Sequence, residues 1–244
     1  MFAGFDLGII WKSTPDLLHG LAVTLQLTLL TVLGGILLSI PLGVLRASRH
    51  RSASGAIWLY TYFFRGTPML VQLYLIYYGL GQFAAIRDSV VWPVLSQAYW
   101  CCLLTFTLNT AAYTIEIVAG AIRNVPHADI ETAYAHGMSR WTCLRRITLP
   151  VAFRIVLPAY TNEVIFILQS SSLASIVTVL DLTGVARTLI ARTFASYEFY
   201  ITIGLVYLAL TYLMLWGFRR IERLWYRHLD RMPMASRDGE LALR

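Results

Sequence analysis

The sequence has one lysine and little charge of either sign. Asp, Glu, Lys and Arg make up 14% of its 244 residues, against 57% apolar residues. With a mean hydropathy of +0.62 the chain cannot clothe a soluble surface, and its composition is that of a membrane protein. A phosphate-binding loop needs a Gly-Lys-Ser/Thr step; the sole lysine, Lys12, follows Trp11, so no such nucleotide site is expected. Cysteine is scarce too. Cys101 and Cys102 are adjacent inside an apolar run and Cys143 lies far off in a basic stretch, which excludes a disulfide framework and a zinc spacing. The histidines (His19, His50, His127, His136, His228) are scattered, with no metal-ligand spacing and no Ser-His-Asp arrangement. Neither a metal, a cofactor nor catalysis is expected. The net charge of +7 invites a nucleic-acid partner, but nineteen of the twenty bases are arginines and most sit between apolar runs, which argues against one.

Long apolar runs are what the chain has instead. Crossing the hydrocarbon layer takes roughly 20 apolar residues, and a helix keeps its backbone hydrogen bonds internal. Five segments qualify: Gly20 to Leu45, Gly66 to Ile86, Ala98 to Ala121, Ile155 to Leu180 and Phe199 to Phe218. They set expected spans at about 17–46, 66–86, 98–121, 152–178 and 199–218. The fold expected is all-α, a polytopic membrane protein with five transmembrane helices in one domain, 1–231, a loop over 122–150, and a polar tail, 232–244, read as disordered.

Arginine placement orients these spans. Arg46, Arg49 and Arg51 follow the first run; Arg123, Arg140, Arg145 and Arg146 follow the third; Arg219, Arg220, Arg223, Arg227, Arg231, Arg237 and Arg244 follow the fifth. The other side holds Lys12, Arg87, Arg187 and Arg192. The bias places the N-terminus out and the C-terminus in, and no cleaved leader is expected at the start. Aromatics gather at run ends (Trp58, Tyr77, Tyr78, Trp92, Trp100, Tyr197, Tyr200, Trp216, Trp225), as interfacial anchors do. The second run opens with aromatic residues from Trp58 to Phe64, is interrupted by Arg65-Gly66-Thr67-Pro68, and resumes at Met69. An interfacial segment followed by a fresh helix is expected, with Pro68 in its first turn.

The polar segment from Asn124 to Pro150 carries helix punctuation. Pro126 stands near a start, Asp129 and Glu131 in an early turn, Gly137 at a stop, and a second stretch with Arg140, Arg145 and Arg146 leads to Leu149-Pro150. Composition alone describes a short helix-turn-helix in the cytoplasm. Its spacing is more specific. Glu131-Thr132-Ala133, Gly137, then Ile147-Thr148-Leu149-Pro150 resembles the E-A-A-x3-G-x9-I-x-L-P loop of ABC-transporter permeases, with Thr132 where the first Ala stands. Phe64-Arg65-Gly66-Thr67-Pro68, Asn109 to Thr114 with Glu116, Val125-Pro126 and Leu157 to Glu163 resemble the polar amino-acid uptake branch of that family. Tyr77-Tyr78-Gly79-Leu80 and Ala98-Tyr99-Trp100-Cys101 are most similar to the M-type subunit of histidine/lysine/arginine/ornithine and octopine/nopaline importers.

The resemblance implies a type I ABC importer permease fold in a bacterial inner membrane. It implies two copies of a cytoplasmic ATPase, a related Q-type permease completing a heterodimer, and a periplasmic amino-acid-binding protein. It makes the stretch around Ala128 to Gly137 a coupling helix. Small Ala133 and Ala135 would permit close approach to the ATPase, Gly137 would supply the turn, and Glu131 would offer a capping carboxylate or a partner for a basic residue.

Charges inside the bilayer are costly, so they face the protein interior or a wet cavity. Glu163 follows Asn162 and lies at helical spacing from Gln169 and Ser170, a polar stripe expected to face the pathway and hold the solute's cationic group. The bland alternative is a structural carboxylate, protonated or paired with Arg154 or Arg65. Thr67, Val71, Tyr74 and Tyr78 form a stripe on the second span, where Tyr74 could stack on a guanidinium or simply pack. Glu116 shares a face with Asn109, Tyr113 and Gly120 and sits near Arg123, which favours an ion pair over solute contact. Arg65 would repel a basic solute and reads as a structural tie. Two rival functions remain at this point: a proton-coupled secondary carrier using Glu116 and Glu163 as a relay, disfavoured by the lack of an inverted repeat, and a purely structural subunit whose partner holds the solute.

Overall fold

The computed structural model describes residues 5–48 and 50–226. Outside the described residues lie Arg49, Arg227, His228, Arg231, Arg237, Arg244, the side chain of Trp225, and the tail 232–244 read as disordered. Every regular element described is helical: α1 (Leu7–Ala47), α2 (Arg51–Gly66), α3 (Met69–Tyr74), α4 (Ala84–Arg87), α5 (Trp92–Leu95), α6 (Ala98–Arg123), α7 (His127–Ala135), α8 (Arg140–Cys143), α9 (Leu149–Ser170), α10 (Leu182–Thr193) and α11 (Ser196–Tyr226). Four stretches are long and apolar enough to cross a membrane: Leu7–Ala47, Ala98–Arg123, Arg140–Val177 and Ser196–Leu224.

The second expected span, 66–86, is not one helix. Thr67 and Pro68 are extended, α3 lasts six residues, a π-turn follows over Leu75–Gly79, and a 3-10 turn over Leu80–Gln82 precedes α4. The cause is local chemistry. Pro68 offers no N–H, Gly79 and Gly81 weaken the helix, and Gly81 is held close to Trp92, whose ring lies 3.1 Å from where a Cβ would stand.

α1 starts earlier than its apolar run because Asp6 caps it, accepting from the amides of Gly8 at 2.7 Å and Ile9 at 3.3 Å. Its buried residues are mostly small, Ser13, Gly20, Thr24, Thr28, Thr31, Gly35, Ser39 and Gly43, with the leucines Leu17 and Leu27 among them. In a lipid solvent such a face replaces hydrophobic drive with close backbone packing, and here it seats α6. A Cβ on Gly35 would stand 2.6 Å from Thr110 Cγ2, and one on Gly43 2.7 Å from Val118 Cγ1. Leu25, Leu29, Leu33 and Leu37 on the opposite side are exposed, as lipid contacts would be. Gly35→Ala is therefore expected to cost about 1–3 kcal/mol, read as a lower melting temperature in detergent. An unchanged melting temperature would show that α1 and α6 do not need this approach.

The expected helix-turn-helix is present, but its second arm does not stop at Pro150. From Arg140 the chain runs helically into α9 through a π-turn over Leu144–Thr148. A proline ring clashes with the carbonyl four residues back in a regular α-helix, and the widened turn relieves that clash. α9 then tightens into a 3-10 segment, Ser171–Val177, that ends at Thr178 in the left-handed region with φ 68°. Hydroxyls bonding back to carbonyls, Ser171 to Leu168 at 2.7 Å and Ser172 to Gln169 at 2.8 Å, accompany the change of pitch.

α10 carries no sequence expectation, and Asp181 builds it. This residue is fully buried and caps the helix, accepting from Gly184 N at 3.0 Å and Thr183 N at 3.2 Å, with Tyr207 Oη at 3.4 Å. Thr24 of α1 accepts from Leu182 N at 3.0 Å, so α1, α10 and α11 meet at one polar knot.

Candidate functional site: a buried carboxylate and a broken helix

The break between α2 and α3 leaves carbonyls that a helix would have satisfied, and two amides take them. Gln72 Nε2 donates to Phe64 O at 2.8 Å, Thr67 O at 3.0 Å and Thr67 Oγ1 at 2.7 Å. Asn109 Nδ2 on α6 donates to Phe64 O at 3.3 Å and to Gln72 Oε1 at 2.9 Å. Irregular backbone at membrane depth survives where protein groups satisfy it in this way. Thr67, expected at the solute site, is occupied here: its hydroxyl also donates to Phe63 O at 2.9 Å.

This brace fixes the end of α2 and thereby Arg65. The Arg65 guanidinium lies 5.3 Å from the centre of the Tyr113 ring, and Tyr113 Oη donates to Arg65 O at 3.5 Å. Tyr113 in turn faces Phe166 of α9, with ring centres 6.5 Å apart. Arg65, Thr67, Tyr113 and Glu116 line a cavity of about 730 Å³ whose remaining wall is largely the aromatic face of α2, Trp58, Tyr62 and Phe63.

Glu163 lies on α9, three residues before Phe166, and does not line that cavity. It is 8% exposed, Thr110 and the charge of Arg65 act on its carboxylate, and Oε1 has no hydrogen-bond partner among the described residues. A buried carboxylate in that condition costs several kcal/mol unless a cation or proton arrives. Asn109 Oδ1, nearby on α6, is also buried and unpaired.

The other expected site residues divide between faces. Asn162 and Gln169 are exposed on the row of α9 that carries Phe166, while Glu163 is buried one row over and Ser170, seven residues on, is half-buried. The single stripe expected from the sequence is thus two adjacent ones. Tyr74 is 37% exposed on a face with Val71 and Tyr78, its ring 5.7 Å from that of Tyr78, and it is not among the residues lining the 730 Å³ cavity.

Glu116 is an ion-pair residue, though its partner is not the neighbour Arg123. Arg46 Nε lies 2.8 Å from its carboxylate, Thr61 Oγ1 donates to the same oxygen at 2.8 Å, and Arg123 donates to Arg46 O at 3.0 Å. The cluster ties α1, α2 and α6 together.

In the elbow between α6 and α9, α7 closes in a complete Schellman turn. Gly137 has φ +75°, Met138 N donates to Ala133 O at 3.1 Å and Gly137 N to Tyr134 O at 2.9 Å. Ser139 then caps α8. Ala133 is 4% exposed and packs inward, whereas Glu131, Tyr134 and Ala135 are exposed. Glu131 is not a cap: the helix begins after Pro126, with Asp129 in its first turn, and Glu131 makes no hydrogen bond to the described residues, leaving its carboxylate available.

Sequence reasoning missed Asp181 and undervalued Tyr113 and Thr110. Asp181 carried a usable signal, an N-cap residue type at the end of an apolar run. Tyr113 and Thr110 carried none, since their role depends on which helix α6 meets.

Comparison with known proteins completes the picture. The family described as "binding-protein-dependent transport system inner membrane component" matches residues 15–225. The chain is similar to the octopine transport system permease protein OccM of Rhizobium radiobacter, 41% identical over 237 residues, 93% of this chain and 97% of that protein. It is also similar to the histidine/lysine/arginine/ornithine transport system permease protein HisM of Salmonella typhimurium, 42% identical over 212 residues, 86% of this chain and 90% of that protein. Among solved structures, a crystal structure of an amino acid ABC transporter with histidines aligns at a TM-score of 0.80 and 31% identity, covering 90% of this chain and 99% of that one. The MetNI methionine ABC transporter in inward-facing conformations aligns at a TM-score of 0.69 and 19% identity, over the same shares of the two chains, a likeness of fold.

Proposed function

The chain belongs to the family of binding-protein-dependent transport system inner membrane components, and from that premise we propose that it is the M-type permease of an ATP-driven importer of basic or opine-type amino acids. It is a multi-pass membrane subunit of an ABC amino-acid importer and resides in the bacterial inner membrane. We assign it two cytoplasmic ATPase copies, a Q-type permease in a heterodimer, and a periplasmic binding protein as partners. The names of its relatives, octopine and histidine/lysine/arginine/ornithine permeases, support solutes with a cationic group. The broken segment from Met69 to Arg87 is assigned as a fifth crossing: at about 1.5 Å per residue it reaches roughly 28 Å, near the hydrocarbon thickness. Five crossings agree with the arginine bias that puts the N-terminus outside.

The observation that carries the solute reading is Glu163, a buried carboxylate with an unpaired oxygen. It supplies a counter-charge at membrane depth where water does not, so a guanidinium or ammonium gains there what a neutral solute does not. Asn162, Gln169 and Ser170 on neighbouring rows, with Thr67 and Tyr74 at the pathway's edge, are assigned as secondary contacts. ATP binding closes the paired ATPases, and Glu131, Ala133, Ala135 and Gly137 of the elbow carry that movement to the spans. Differential affinity of ATP for the closed state drives the cycle. Glu116 is a poor member of a proton relay because Arg46 and Thr61 both hold it at 2.8 Å, which favours ATP coupling over a secondary carrier.

Glu163→Gln is expected to lower arginine uptake by the reconstituted complex about tenfold, as loss of one charged hydrogen bond would, with assembly unchanged. Full uptake by a normally assembled variant would remove Glu163 from the solute site.

A further inference from the structure

We propose that the groove between α1, α6 and α9 is a lipid site, which holds one acyl chain of an anionic glycerophospholipid and places its phosphate on Arg145 and Arg146. The site is separate from the solute pathway and does not depend on the reading of Glu163. It requires only that α9 crosses the membrane.

A cavity of about 250 Å³ runs along α9 from Leu149 to Tyr160, walled by Ile36 and Ile40 of α1, Val118 of α6, and Phe153 and Leu157 of α9 itself. Three hydroxyls border it. Ser39 donates to Ile36 O at 3.3 Å and Tyr160 to Val32 O at 3.5 Å. Thr114 Oγ1 has no partner among the described residues, but a χ1 rotation turns it to the carbonyl four residues back, the bond that Thr28 and Thr161 make at 2.8 and 2.9 Å. With no polar group that needs a ligand, the groove suits neither water nor a polar solute. Its mouth lies at Ile40 and Phe153, both exposed. Phe153 precedes Asn162 by nine residues, about half a turn around an α-helix, so the groove opens away from the exposed row of Asn162, Phe166 and Gln169.

Length and charge identify the occupant. From Leu149 to Tyr160 the helix rises about 16 Å, roughly half of the ~30 Å hydrocarbon layer and so the depth of one leaflet. An extended acyl chain fills a slot of that depth. At its Leu149 end the groove meets Arg145 and Arg146, which lie in the π-turn four and three residues earlier, the spacing of neighbours on one helical face. Both are exposed, and neither makes a hydrogen bond or ion pair to the described residues. Two guanidiniums without counter-ions at the edge of the hydrocarbon match a phosphodiester, which arginine binds through paired N–H donors. The arginine bias assigns this end to the cytoplasmic side, where the leaflet is anionic. A zwitterionic lipid brings the same chain, but its ammonium offsets the charge of its phosphate. The bound lipid joins the second arm of the elbow to the flank of α1.

The test uses the assembled transporter complex, stripped of lipid in a neutral detergent, with phosphatidylglycerol and phosphatidylcholine that carry the same photoactivatable acyl chain. Phosphatidylglycerol is expected to label residues 36–40 and 149–157 saturably, and unlabelled phosphatidylglycerol, but not inorganic phosphate, should displace it. Phosphatidylcholine should bind about thirtyfold more weakly. Replacing both arginines, Arg145→Gln with Arg146→Gln, should weaken phosphatidylglycerol about thirtyfold, about fivefold for each, and change phosphatidylcholine by less than about twofold. Ile40→Trp, which fills the mouth of the groove, should reduce labelling by both lipids. The arginine variant alters only exposed side chains, so it decides the question even if Ile40→Trp does not accumulate. Equal binding of the two lipids, no response to the arginine changes, labelling away from the groove, displacement by inorganic phosphate, or no saturable labelling of the complex would each overturn the proposal.

Discussion

Uptake by the assembled importer should fall at least about tenfold when Gly137 is replaced by valine, with the protein still inserted at normal abundance. Gly137 closes α7 at φ +75°, and a β-branched residue there pays roughly 1–2 kcal/mol or more in backbone strain. The space around it is open, with nothing within 4 Å of where a Cβ would stand, so the penalty is purely conformational. Relieving it means abandoning the paired bonds from Met138 N to Ala133 O and Gly137 N to Tyr134 O. Those bonds set the angle between α7, which presents Glu131 and Ala135, and the continuous helix that begins at Arg140. A changed angle moves the docking face without touching the spans. Gly137→Asn, which tolerates the left-handed region, should keep most of the activity, which separates geometry from bulk. Solute-stimulated ATP hydrolysis should fall with uptake in the valine variant. If Gly137→Val transports normally, the elbow's shape does not transmit force.

The elbow was legible in the sequence because its determinants are local: a proline before the helix, an early acid, a glycine after it. The long apolar helical stretches over Ala98–Arg123, Arg140–Val177 and Ser196–Leu224 were legible because apolar length is a property of the sequence itself. The interruption at 66–86 was half legible. Pro68 announced the break, but the π- and 3-10 turns beyond it arise from how Gly79 and Gly81 pack, and that depends on Trp92. The site was legible only as a set of candidates. Glu163 was visible as an acid in an apolar run, whereas Thr110 and the charge of Arg65, which act on it, come from two other helices. Helical spacing alone also could not say which of the rows carrying Asn162 and Glu163 would be buried, because that is decided by α6 and α1, whose glycine face draws α6 in. The same limit hid Ala133: its small size suits docking on a partner, and the structure spends it on packing within the chain.

Among the described glycines, Gly184→Ala is expected to be the most damaging added methyl. A Cβ at this position would stand 2.3 Å from Val179 O and 3.2 Å from Asp181 Oδ1, and the first of these is backbone. That carbonyl cannot easily retreat, since Val179 follows the left-handed Thr178 and its amide is bonded to Ala174 O at 3.2 Å. The start of α10 must move instead. Moving it withdraws the Gly184 and Thr183 amides from Asp181, leaving a carboxylate that is fully buried without its strongest donors. Breaking up a buried charge in this way typically costs about 3–5 kcal/mol, more than overpacking alone. The variant should be recovered in low yield and melt well below the wild type. Gly217→Ala, where nothing lies within 4 Å, should behave as the wild type and controls for the added methyl. Removing the acid together with the clash tests the cause: Asp181→Asn in the Gly184→Ala background should lose less than the sum of the two single changes, because the charge that makes the displacement costly is gone. A Gly184→Ala protein that melts with the wild type would mean that α10 is not anchored through Asp181 at all.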